Sequence, residues 1–218
     1  LIASNRKGLG DDVQLFDDGT LNAKDKDVVV IGGGDTAMDC VRTAIRQEAR
    51  SVKCLYRRDK ENMPGSAREV NNAEEEGVEF IWKSLPKDFI GNGKAQEISC
   101  VKMSLSDPDE DGRQVPLEVE GSDFTVKSDM VIAALGFSPE ELPVLFNEQD
   151  LPVTKWGTVR VGFDTMMTSL DGVFAAGDIV RGASLVVWGI RDGREVANSI
   201  HDYIQMKEIS SEKKVASL

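Results

Sequence analysis

Val28-Val29-Val30-Ile31, followed at once by Gly32-Gly33-Gly34, restricts this chain more than any other feature. Four consecutive β-branched residues suit a strand covered on both faces, as in a parallel sheet. Over residues 36–49 the apolar side chains Ala37, Met38, Val41, Ala44 and Ile45 fall on one helical stripe, with Arg42, Arg46 and Gln47 outside it. A second strand is expected over 52–56. Pro64-Gly65 then introduces a helix whose start, Ser66-Ala67-Arg68-Glu69, has the spacing of a capping box. Gly77 stops that helix, and 78–82 forms a third strand. The order β-α-β-α-β is half of a doubly wound fold.

The rest of the chain changes character. Residues 98–105 and 115–126 are strand-like, and the acidic turn at 107–112 joins them into an antiparallel hairpin or meander laid on the sheet. Residues 130–136 repeat the buried-strand pattern, as does the short apolar run 173–176. A helix is expected over 185–204, with Gly189, Gly193 and Ala197 leaving one face nearly bare for close packing on a sheet. The first 27 residues mix Gly, Asp, Asn and Lys without a period and read as a connecting segment. The tail after Gln205 is polar and is expected to fray. Glu74-Glu75-Glu76 sits where the macrodipole prefers cations, and the sequence offers no reason for it.

With 218 residues, 40% of them hydrophobic and 29% charged, the chain is long and apolar enough for one large or two small globular domains. A net charge of -12 argues against general binding to nucleic acid or an anionic membrane, so any phosphate ligand needs a local site. No apolar run approaches the roughly 20 residues of a membrane span, and the chain opens on no signal sequence, which points to the cytoplasm. Cys40, Cys54 and Cys100 lie far apart and form no C-x-x-C. They read as reduced packing residues rather than a dithiol centre or cluster ligands.

Gly32-Gly33-Gly34-Asp35-Thr36-Ala37 fits G-x-G-x-x-A between a strand and a helix. The first glycine allows a tight turn, and the second lets backbone lie against a pyrophosphate. Ala37 keeps helix and strand close, while the helix N-terminus offers unpaired N–H groups to phosphates. The bland reading is a glycine-rich turn that binds nothing. The end of the second strand selects the nucleotide, because a carboxylate there accepts from a ribose 2′-hydroxyl whereas an arginine pairs with a 2′-phosphate. Here Arg57 and Arg58 precede the single Asp59. Two guanidiniums able to fork onto phosphate oxygens favour NADPH over NADH, unless both are merely solvated loop residues.

The run from Val28 to Arg42, then Tyr56-Arg57-Arg58-Asp59, Glu61-Asn62-Met63-Pro64-Gly65-Ser66 and Gly177-Asp178-Ile179-Val180-Arg181-Gly182, resembles the small (β) subunits of bacterial NADPH-dependent glutamate synthases. The resemblance covers nearly the whole chain. It implies a Rossmann-like, doubly wound parallel sheet with an antiparallel meander over 28–163, and the C-terminal part of an FAD-binding domain over 164–218. Thr168 and the stretch from Val173 to Asp178 resemble the second FAD motif of two-dinucleotide flavoprotein reductases. The resemblance implies that Asp178, after Gly177, bonds the flavin's sugar chain and that the helix start near Leu185 and Val186 faces the flavin ring. Gly136-Phe137-Ser138-Pro139 resembles the turn beside the family's NADPH site.

The resemblance also implies parts that this chain does not show. FAD in that family needs its own glycine finger, and Gly8-Leu9-Gly10 follows no strand; the family's iron–sulfur cysteines are absent as well. Together with Leu1 in place of Met, this reads as a fragment with an incomplete FAD site. Its implied partners are the N-terminal FAD and iron–sulfur part of the same subunit and the glutamate synthase large subunit, with a homodimer of the fragment as another way to cover exposed apolar surface. Hydride passes directly from nicotinamide to flavin, so no catalytic acid or base is expected. His201 reads as a surface or packing residue. The same module could serve a pyrimidine-reducing or ferredoxin-linked acceptor, and a non-catalytic nucleotide-binding domain is a third reading.

Overall fold

A computed structural model of the chain describes residues 2–110, 112 and 114–215, with side chains described as far as 209. Asp111, part of the expected acidic turn, and residues 216–218 of the tail lie outside the described residues. The chain divides into two compact units, Leu1–Gly136 and Phe137–Leu218. No described helix is long and apolar enough to cross a membrane.

The first unit opens with two short helices, α1 (Ile2–Gly8) and α2 (Gln14–Asp17), in a stretch without hydrophobic period. Polar bonds rather than an apolar stripe hold them: Lys7 pairs with Asp17 at 2.7 Å, and neither helix buries a residue. Then come β1 (Asp27–Ile31), α3 (Asp35–Arg46), β2 (Ser51–Leu55), α4 (Ala67–Glu75) and β3 (Glu79–Ile81). The meander follows as β4 (Ser84–Ile90), β5 (Glu97–Leu105), β6 (Pro116–Glu118) and β7 (Phe124–Lys127), and β8 (Met130–Ala133) returns to the first sheet. That sheet is wholly parallel in the order β3-β2-β1-β8, whereas β5 pairs antiparallel with β4, β6 and β7.

The alternation along β1 shows how three layers form. Val28 and Val30 face one way and pack with Met38, Val41 and Ala44 of α3 and Val70 and Ala73 of α4. Val29 and Ile31 face the other way and pack with Ile98 and Cys100 of β5 and Val126 of β7. The two helices thus cover one face of the parallel sheet and the meander covers the other. Each such fully buried side chain contributes about 1.5–3 kcal/mol of transfer free energy. All three cysteines are buried and free in this unit.

A polar cluster closes the start of β1. The Asp27 N–H donates to the Asp129 carboxylate at 2.9 Å, and the Asp27 carboxylate accepts from Ser51 Oγ and Arg50 Nη1, each at 2.7 Å. Asp129 N–H in turn donates to Asp27 O at 2.7 Å.

Two local expectations change. Ser66 is the N-cap of α4, but its hydroxyl makes no capping bond, so the capping box is not formed. Its intended partner, Glu69, pairs instead with Arg42 of α3. The acidic end of α4 acquires an explanation: Glu76 accepts from Arg42 at 2.8 Å and Arg46 at 3.0 Å, and Glu74 from Lys60 at 2.7 Å. Cations from neighbouring segments replace the ones the helix end lacks. The Arg42 hydrogen bond holds the Glu76 carboxyl below its ordinary pKa.

In the second unit, α5 (Leu142–Leu145), α6 (Asp178–Arg181) and α7 (Val186–Val215) are joined by irregular chain. The strand expected over 173–176 is reduced to a single bridge between Met167 and Phe174. The tail expected to fray after Gln205 instead continues α7 to Val215. Gly189 of α7 lies beneath the Gly177 turn rather than against a sheet, and His201 is exposed.

Candidate functional site

The C-terminal ends of β1, β2 and β8, together with the start of β4, enclose a cleft of about 660 Å³. Gly32, Gly33, Gly34, Thr36, Arg57 and Gly136 line it. Crevices beyond the carboxyl ends of parallel strands are where open α/β sheets bind ligands.

The glycines are not equivalent. Gly32 has φ +144°, and a methyl there would lie 2.2 Å from the Ala134 carbonyl oxygen, so the chain itself requires glycine at that turn. Gly34 is different. It is the N-cap of α3 with φ -91° and ψ 177°, values open to any residue, and a methyl there would have nothing within 4 Å. Folding therefore places no demand on Gly34, whereas a ligand seated against its backbone would. The first intrahelical donor of α3 is Ala37, which bonds to Gly34 O at 2.9 Å, so the preceding amides face the cleft end of the helix. Ala37 itself is fully buried between helix and sheet.

At the end of β2, Arg57 is exposed and lines the cleft. Arg58 does not line it, and its Nε is buried without a hydrogen-bond partner among the described residues. Asp59, the residue that left the nucleotide choice open, is spent locally. Its carboxylate accepts from the N–H of Asn62 at 3.2 Å and from Asn62 Nδ2 at 2.7 Å, with Lys83 Nζ at 3.6 Å. The Asn62 hydrogen bond holds it below the usual carboxylate range. Asp35 also stays out of the cleft, turned to the N–H of Ser66 at 2.9 Å.

The cleft wall also holds Tyr56, Pro64, Ser84, Leu85, Pro86 and Leu135, none of which the sequence assigns to a binding site. Tyr56 packs its ring on Gly33, meets Trp82 edge-on at 6.4 Å, and donates its hydroxyl to Asn62 O at 3.0 Å. Pro64-Gly65 is a sequence clue to this wall, since Gly65 closely approaches Gly33 as well as preceding a helix.

The second unit holds the other expected residues. Gly177 turns at φ +75° and ψ -148°, a conformation that needs glycine, and the exposed Asp178 begins α6. Arg181 forks onto Asp192 of α7, Nε to Oδ2 at 2.5 Å and Nη2 to Oδ1 at 2.6 Å. The guanidinium holds the Asp192 carboxyl below its ordinary pKa. Leu185 and Val186 stand exposed at the start of α7.

Comparison with known proteins gives the family of the chain. Residues 4–193 match the family model of the pyridine nucleotide-disulphide oxidoreductases. The small chain of NADPH glutamate synthase from Azospirillum brasilense is 61% identical over 95% of this chain and 43% of its own length. The β subunit of an NADP(+)-dependent formate dehydrogenase from Moorella thermoacetica is 40% identical over 83% of this chain and 25% of its own length. This chain thus spans less than half the length of either relative. A crystal structure of Lactococcus lactis thioredoxin reductase superposes with a TM-score of 0.67 and 23% identity, covering 84% of this chain and 54% of that one, which shows a shared fold.

Proposed function

The chain belongs to the pyridine nucleotide-disulphide oxidoreductase family, and from that premise we propose that it is the electron-input module of a flavin-dependent oxidoreductase. Its first unit binds NADPH, and its second contributes part of an FAD site. The observation that carries this reading is Gly34: a glycine that the fold does not need stands at a helix N-terminus in a cleft of cofactor size. NADPH is the favoured form because Arg57 stands in the wall, Arg58 has a buried and unpartnered Nε, and Asp59 is engaged by Asn62.

The residues of the second unit fit a flavin in two respects. Asp178 presents an exposed carboxylate to a sugar hydroxyl, and Leu185 and Val186 present an apolar helix start to an aromatic ring. FAD supplies a two-electron acceptor for the nicotinamide hydride when bound. The protein's part is to hold the nucleotide, orient it and exclude water. Among the described residues the strand–glycine–helix turn occurs only at Gly32–Gly34. We therefore assign the FAD pyrophosphate anchor, and the iron–sulfur cysteines, to the further length seen in the relatives.

By the 61% relative, the acceptor is glutamate synthase, its large subunit receives the electrons, and the product is glutamate. The formate dehydrogenase relative favours a second reading, in which the same module serves another acceptor. In either case the exposed apolar side chains of the second unit are covered by the rest of the longer protein or by a second copy. The test combines calorimetry with NADPH and NADH, and dye reduction after FAD is added and the excess removed. The expected result is tighter binding of NADPH than NADH, with little retained flavin and little turnover. Stoichiometric FAD with turnover would show a self-sufficient flavoenzyme, and absence of NADPH binding would remove the reading altogether.

A further inference from the structure

A carboxylate immediately after Gly34 is a costly neighbour for a cleft that takes an anion, since like charges a few ångströms apart repel even through water. The structure shows where that charge is used. Asp35 Oδ1 accepts the N–H of Ser66 at 2.9 Å. Ser66 is the N-cap of α4, and its own hydroxyl caps nothing. A side chain from the first turn of α3 therefore caps α4, and the positive end of α4 helps to offset its charge.

A second bond runs beside the first. The Gly65 N–H donates to Gly33 O at 2.9 Å, and a methyl on Gly65 would lie only 3.0 Å from that oxygen. The far end of the same loop is tied by Tyr56 Oη to Asn62 O and by Asn62 to Asp59. Pro64, between these ties, lines the cleft, whereas Asp35 does not.

We propose that Asp35 is a positioning residue. It clasps the loop before α4 to the glycine turn, so that Pro64 stands as a fixed wall beside the nucleotide's pyrophosphate, and in the same contact it keeps its own charge off the ligand. The proposal rests on reading the cleft as the NADPH site. Such a clasp acts on the part of the ligand that NADPH and NADH share, so its loss lowers affinity for both and leaves their ratio unchanged.

Calorimetry on the full chain tests this with three variants. Asp35→Ala removes the acceptor and is expected to weaken NADPH and NADH alike by about tenfold, the scale of one lost charge-assisted hydrogen bond. Asp35→Asn retains an acceptor oxygen and should recover most of that loss. Ser66→Pro deletes only the donor, because Ser66 already has φ -55°, within the range proline adopts. It should weaken binding at least as much as Asp35→Ala, because it also frees the carboxylate, and the double variant should be no worse than Ser66→Pro alone. Full affinity in Asp35→Ala, an equal loss in Asp35→Asn, or additive losses in the double variant would overturn the proposal. Should the wild-type chain bind no NADPH, the function reading fails, and the clasp is then judged by amide exchange. The Ser66 N–H must exchange more slowly in wild type than in Asp35→Ala, and equal rates would overturn it.

Discussion

The two units of this chain use apolar residues in opposite ways. Up to Gly136 the molecule buries Val28, Val29, Val30, Val41 and Cys54 completely, sealed by helices on one face of the sheet and the meander on the other. From Phe137 onward Leu151 and Val159 are the only buried hydrophobics among the described residues, while Phe163 is 98% exposed, Phe137 81% and Val186 78%. Large apolar side chains left exposed in such number are, where they adjoin, more often an interaction site than a free surface. Sequence likeness runs through both units almost without a break, yet only the first carries the usual balance between core and surface. A family match therefore does not measure how far a segment stabilises itself.

The sharpest way to break the contrast is at Gly34, where function and folding separate. Gly34→Val should abolish NADPH binding, a loss beyond about a thousandfold, because the side chain takes the space of the pyrophosphate. The melting temperature without ligand should stay near wild type, since nothing lies within 4 Å of the new methyl position. An unchanged thermal shift with NADPH in that variant would place the site elsewhere.

The cores themselves can be compared directly. Met38→Ala opens a cavity under α3 and should lower unfolding free energy by about 2–5 kcal/mol in urea titration. Val187→Ala, at a residue 63% exposed in the second unit, should stay within about 0.5 kcal/mol. A large effect at Val187 would mean that the second unit has a buried face in solution. Reversing Arg57 and Arg58 to Asp should cost NADPH roughly a hundredfold in affinity, the scale of lost guanidinium–phosphate pairing, and NADH far less. Equal losses by calorimetry would show that neither arginine reads the 2′-phosphate.

The last expected effect is alkaline. Burial pushes the Cys54 thiol up to about 12 and Cys100 up to about 11, against an ordinary value of 9.0. Between about pH 9 and 12 the unfolded chain releases protons that the folded one keeps, so the stability from these thiols is present below pH 9 and fades as pH rises. All three cysteines lie in the first unit, so this loss belongs to that unit alone. Urea titrations at pH 8 and pH 10.5 should differ less in Cys54→Val than in wild type.

Much of the parallel half was legible because its signals were local. A β-branched run, a glycine cluster and a helical stripe each declare themselves within a dozen residues. β4 was not legible, since Pro86, Lys87 and Asp88 interrupt its apolar pattern and its partner β5 makes it a strand. That omission hid Ser84, Leu85 and Pro86 from the site. The apolar run 173–176 erred the other way: it has strand composition, but only Phe174 finds a bridge partner. The three glutamates closing α4 resisted explanation for a similar reason. Two of them, Glu74 and Glu76, answer to cations outside that helix, 14, 30 and 34 residues away in sequence.

The bonds around Asp27 carry one more lesson. A run of Val-Val-Val-Ile buried on both faces looks nearly the same after sliding by one residue, so hydrophobicity says little about which carbonyl belongs beside which amide. Asp27 breaks that degeneracy, since it alone joins Ser51 and Arg50 on one side and Asp129 on the other. It is the zero mark of a ruler. Counting five residues from it along β1 brings the chain to Gly32, so the placement of the nucleotide turn is indexed from the opposite end of the sheet.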